Sequence, residues 1–115
     1  MNNNYLVMAE FSIVPIGTGE TSVGRFVATA VLAFSGVKGL SFEVTPMGTI
    51  LAANDLDTIF EAVRRAHEAV VTLGARRVSS TLKIDDRRDK PRSMHDKVDA
   101  VKKYIKEAQA NSSGH

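Results

Sequence analysis

Apolar and polar residues alternate with period two in several stretches of this chain, and with helical spacing in others. Residues 5–14 are β-rich and alternate, Ala9, Phe11 and Ile13 against Glu10 and Ser12. Such alternation sends one set to a core and the other to the opposite face of a sheet. The stretch predicts a first strand, ended by Pro15 and the Gly17-Thr18-Gly19-Glu20 run. Thr21 or Ser22 is the expected cap of a following helix, whose stripe is Val23, Phe26, Val27, Ala30, Val31 and Phe34. Gly36 and Gly39 mark its exit.

Residues 40–45 predict a second strand, with Glu43 and Thr45 alternating with Phe42 and Val44. Pro46-Met47-Gly48 makes a tight connection to a short third strand, 49–53. Asn54 or Asp55 caps the next helix, whose stripe is Leu56, Ile59, Phe60, Val63, His67, Val70 and Leu73, with Gly74 as its stop. Residues 77–85 predict a fourth strand, in which Thr81 and Lys83 alternate with Leu82 and Ile84. A charged loop follows, then Ser93 and Asp96 at capping-box spacing. A third helix carries Met94, Val98, Val101, Ile105 and Ala108.

The order β-α-β-β-α-β-α predicts an α+β, ferredoxin-like sandwich. It comprises a four-stranded antiparallel sheet with two helices on one face and an extra C-terminal helix. Right-handed crossovers put the first and third strands in the centre. One sheet face is then left open unless the third helix or another subunit covers it. The outward set from the alternating strands lies there, and it can be hydrated, pair with another sheet, or hold a small polar ligand.

A chain of 115 residues predicts one domain, taken as 1–110 with a flexible tail at 111–115. The absence of cysteine removes disulfides and thiolate metal sites. The N-terminus has neither a basic segment nor a long apolar run, which predicts no signal peptide, no membrane span and a cytoplasmic protein. Net charge is +2, but residues 1–75 hold four basic and seven acidic side chains, whereas residues 76–115 hold eleven and six. The basic excess is interleaved with acids. It reads as an ion-paired surface, or more sharply as a weak anion site.

No metal is expected. His67, His95 and His115 are never three or four apart, and the carboxylates of Asp85, Asp86 and Asp89 are countered by Arg87, Arg88 and Lys90. A nucleophile elbow is missing. The Gly17 loop lacks the spacing of a phosphate-binding loop, and turn plus cap is its plain reading. Nucleic acid is disfavoured because Met8, Glu10 and Ser12 on the open face offer no aromatic platform, and carboxylates repel phosphates. An amine-bearing or cationic ligand fits better. Glu10 and Glu43 would meet its charge, Ser12, Thr45, Thr49 and Thr81 would orient it, and Met8 and Met47 would lie against a ring.

Several strings carry a resemblance. They are Ala9-Glu10-Phe11-Ser12-Ile13 with Pro15-Ile16-Gly17, Thr45-Pro46-Met47-Gly48-Thr49, Asp55-Leu56-Asp57, and the run from Lys83 to Lys90. Over about residues 7–106 the chain resembles the thiamine-binding protein family, small ferredoxin-like proteins also catalogued as an uncharacterised conserved family. The resemblance implies self-association through sheets into a homodimer or homotetramer. It also implies binding of thiamine or its hydroxymethylpyrimidine part, without catalysis, cofactor or metal. Carried onto this chain, the family pattern touches Glu10, Ser12, Thr45, Met47, Thr49 and Lys83; Glu43 joins them by alternation alone. Such proteins often carry an acidic residue before the second helix's cap, where this chain has Ala52-Ala53. The expected function is non-catalytic binding of thiamine or a related pyrimidine by a homo-oligomer, on the polar sheet face near a subunit interface. The alternative is a structural or regulatory oligomerisation module.

Overall fold

The computed structural model describes residues 5–89 and 96–113. Seven elements follow in order: β1 (Val7–Ile16), α1 (Gly24–Phe34), β2 (Ser41–Thr45), β3 (Gly48–Ala53), α2 (Leu56–Leu73), β4 (Arg77–Asp86) and α3 (Asp96–Ser113). The sheet order is β2-β3-β1-β4, and every neighbouring pair is antiparallel. This is the ferredoxin-like α+β arrangement, with β1 and β3 central as the crossover rule requires.

α1 and α2 pack on each other and on the same side of the sheet. Between the layers lie Val7, Ala9, Phe11 and Ile13 from β1, Leu51 and Ala53 from β3, Phe26, Ala30 and Phe34 from α1, and Ile59, Ala62, Ala66 and Val70 from α2. The inner stripe of α2 is partly alanine, which lets the two helices approach closely. Phe60, placed on that stripe by spacing, is 48% exposed. Phe34 meets Phe42 edge-on, with ring centroids 5.4 Å apart, and so ties α1 to the edge strand β2.

Local chemistry departs from expectation in three places. β1 continues through Pro15 to Ile16, because Pro15 still pairs with Val78 of β4. β1 pairs with β3 only as far as Phe11, so beyond it the strand has a neighbour on one side alone and tolerates a residue without an N–H. α1 starts after Val23, without a side-chain cap, so neither Thr21 nor Ser22 caps it. The helical backbone of α3 runs to Ser113, beyond residue 110. The α2 boundaries are as expected. Asp55 Oδ1 accepts a 2.7 Å hydrogen bond from the Thr58 N–H, and Gly74 has φ 128°, which suits glycine. The Ser93–Asp96 capping box lies outside the described residues.

Candidate functional site

Strand register fixes which side chains share the uncovered face. Residues paired across an antiparallel ladder point to the same side. Glu10 pairs with Ile50 and with Lys83, and Glu43 pairs with Ile50. The middle row across the open face is therefore Glu43, Ile50, Glu10, Lys83, with adjacent strands about 4.8 Å apart. Below it runs Ser41, Ala52, Met8, Asp85. Above it lie Thr45, paired with Gly48, and Ser12, paired with Thr81. Glu10, Ser12, Glu43, Thr45 and Lys83 thus share one surface.

Two expected site residues sit elsewhere. Met47 is at the hairpin tip and 84% exposed. Thr49 faces the helices, not the open side. It pairs with buried Phe11 and with Val44 of the edge strand, on the helix side of the sheet, and is 4% exposed. The cause is the two-residue loop Pro46-Met47. It pairs Thr45 with Gly48, so Thr49 takes the opposite pleat from Thr45. The Thr45 hydroxyl is also engaged within the turn. It donates to the Gly48 carbonyl at 2.8 Å and accepts from the Met47 N–H at 3.4 Å.

Gly48 has a steric reason. A Cβ there would stand 3.0 Å from the Phe11 carbonyl oxygen and 3.7 Å from Glu10 Cγ. Its absence leaves a notch beside Glu10. A cavity of ≈ 190 Å³ opens on this face, lined by Met8, Ala9, Glu10, Ile50, Lys83 and Asp85. Apolar Met8 and Ile50 form its floor, and Glu10, Lys83 and Asp85 supply charge. Among the described residues, the side chains of Glu10, Glu43 and Lys83 form no hydrogen bond or ion pair. Their charges remain available to a ligand.

A second cavity, of ≈ 170 Å³, lies around the other side of β1. It is bounded by Ser12 to Val14, the hairpin from Thr45 to Thr49, Val23 just before α1, and Val27 and Phe34 of α1. Its walls are largely apolar, with the hydroxyls of Ser12, Thr45 and Thr49 among its lining residues. Sequence alternation could not reveal this groove, because it forms between a free strand edge and a helix.

The remaining candidates have structural partners. His67 Nε2 lies 2.7 Å from Ser80 Oγ and its ring tilts against Phe11, which is the role of a boundary histidine. Ser80 pairs with inward-facing Ile13, so this contact is remote from the open face. Arg88 binds Asp86 through two nitrogens, and Arg87 binds Asp89. The Arg88 hydrogen bonds hold the Asp86 carboxyl below the usual carboxylate range. Among the described residues no cluster of histidines and carboxylates could hold a metal ion. No described helix is long and apolar enough to cross a membrane.

The architecture defines a small α+β sandwich that keeps one sheet face uncovered and polar. The chain belongs to the thiamine-binding protein family, whose sequence model matches residues 9–102. It is 48% identical over 100 residues to a UPF0045 protein of Methanothermobacter thermautotrophicus, covering 87% of this chain and 100% of the relative. The hypothetical protein MJ1052 of Methanocaldococcus jannaschii, a solved structure, superposes with a TM-score of 0.75 at 41% identity, covering 84% and 95% of the two chains. A Thermotoga maritima protein, described provisionally as a thiamine biosynthesis/salvage protein, superposes with a TM-score of 0.68 at 20% identity, covering 84% and 98%. At that identity the likeness speaks for the fold.

Proposed function

We propose that this protein binds thiamine or its hydroxymethylpyrimidine part without transforming it. The ligand lies on the open sheet face of a cytoplasmic homodimer or homotetramer, near a subunit interface. One observation carries the reading beyond family membership: Glu10 and Glu43 flank Ile50 on one face, and neither has a partner among the described residues. A thiazolium cation or an exocyclic amine complements such carboxylates, and exclusion of water strengthens the attraction. Ile50 and Met8 give a ring an apolar floor, and Ser12 and Thr81 bring hydroxyls to the same face. Lys83, paired with Glu10 in the strand register, can donate to a ring nitrogen or hydroxyl. Thr45 and Met47 act at the rim. Thr49 reaches a ligand only through the groove beside α1.

The reading involves no nucleic acid, metal or membrane. The edge strands β2 and β4 favour sheet pairing between copies, which is the ground for the oligomer. They also support the second reading, a structural or regulatory oligomerisation module. Isothermal titration with thiamine separates the two. Saturable heat that falls at least tenfold in affinity in Glu43→Gln supports binding at this face. Self-association with no heat at millimolar thiamine supports the oligomerisation module.

A further inference from the structure

The groove beside α1 contains a polar group that the fold leaves unused. Thr49 lines it and is 4% exposed, and its hydroxyl has no hydrogen-bond partner among the described residues. A buried hydroxyl without a partner is uncommon, because nothing replaces its lost hydration.

A peptide edge faces the same space. A Cβ on Gly48 would stand 3.0 Å from the Phe11 carbonyl oxygen, so that carbonyl points towards β3. Backbone groups alternate sides along a strand, so Ile13 aims its N–H and its carbonyl the same way. β3 stops pairing with β1 at Phe11 and Thr49, and no backbone hydrogen bond outside the ladders and helices reaches Ile13. Pro15, next on that side, has no N–H to place there. Ile13 lines the groove and is 6% exposed. Its edge therefore presents one donor and one acceptor to the groove.

The walls select what can enter. Among the described residues no charged side chain lines the groove, and Val27, Val31 and Phe34 make its helix side apolar. A charged ligand is disfavoured there. The volume is ≈ 170 Å³, and an apolar cavity of about 150 Å³ holds one benzene. We propose that the groove binds a single uncharged six-membered ring with a donor and an acceptor side by side on one edge, as in a cyclic amide. That edge pairs with the Ile13 carbonyl and N–H, as a neighbouring strand would, and the Thr49 hydroxyl donates to the second lone pair of the ring's oxygen. This goes beyond the function proposed above, since the chemistry is opposite to that of the charged row on the open face.

Backbone amide shifts of the full chain, titrated with 2-pyridone in the absence of thiamine, test the site. Saturable shifts are expected at Ile13, Val27 and Thr49. N-methyl-2-pyridone keeps the ring but loses the donor, and should bind about tenfold more weakly. Thr49→Val keeps the shape but removes the hydroxyl, and should weaken 2-pyridone about fivefold. Val27→Phe fills the groove from the helix side and should abolish binding; it serves if Thr49→Val does not fold. The proposal is overturned by equal affinity for the two pyridones, by shifts at Met8, Glu10 and Lys83 instead, or by no saturable shift at millimolar 2-pyridone. No thiamine is present, so failure here leaves the thiamine titration as an independent result.

Discussion

The two faces of one sheet are built from the same strands and obey opposite rules. On the covered face, successive inward positions of β1 are Val7, Ala9, Phe11 and Ile13, all buried, and Thr49 is the buried polar residue among them. On the open face, the intervening positions Met8, Glu10 and Ser12 meet Ile50, Lys83 and Thr81. Packing dictates the first set, because each side chain must fill a fixed volume. Packing cannot dictate the second, because no described element covers it. On the proposed reading the charge row on either side of Ile50 serves recognition, and substitutions should then divide stability from binding along this line.

The largest effect is expected from Phe11→Ala on the covered face. Phe11 is 2% exposed at the centre of the core, and its removal should cost about 3–5 kcal/mol, read as a lowered denaturation midpoint. Gly48→Ala sharpens the comparison at the hinge of the two faces. Its Cβ would crowd the Phe11 carbonyl, and the expected loss is about 1–2 kcal/mol. Asp55→Ala removes the α2 cap and should cost about 1 kcal/mol by chemical denaturation, with no effect on ligand affinity. Its pH dependence has a definite sign. Hydrogen bonds from the Thr58 hydroxyl and then the Thr58 N–H lower the Asp55 pKa in the fold. The cap's contribution is present above the ordinary carboxylate pKa and fades as pH falls through the lowered folded value, so the wild-type advantage over Asp55→Ala should vanish in acid. Glu43→Gln should move stability by no more than about 0.5 kcal/mol, as an exposed surface change. The same variant should nonetheless weaken thiamine binding, since a charge-assisted hydrogen bond contributes about 1.5–3 kcal/mol. If stability fell and binding held, the division between the faces would fail.

Much of this was legible in the sequence because period-two and helical patterns record burial. The element order, the central pair of strands, a cap at Asn54 or Asp55 and the common face of Glu10, Ser12, Glu43 and Lys83 all follow from them; the structure selects Asp55. Thr49 was misplaced because a loop of two residues rather than three changes pleat parity, and the Pro46-Met47-Gly48 string does not reveal where pairing resumes. The inner stripe of α2 was blurred because Ala62 and Ala66 carry little hydrophobic signal, while Phe60 carries much and points outward. The groove beside α1 depends on β1 outrunning β3, a tertiary fact with no local signature.

The central claim is that the open face recognises the ligand. Backbone amide chemical shifts recorded during a thiamine titration test it most directly. The account predicts saturable shifts concentrated at Met8, Glu10, Glu43, Ile50 and Lys83. Shifts confined to Val23, Val27 and the Thr45–Thr49 hairpin, or none at millimolar thiamine, would contradict it.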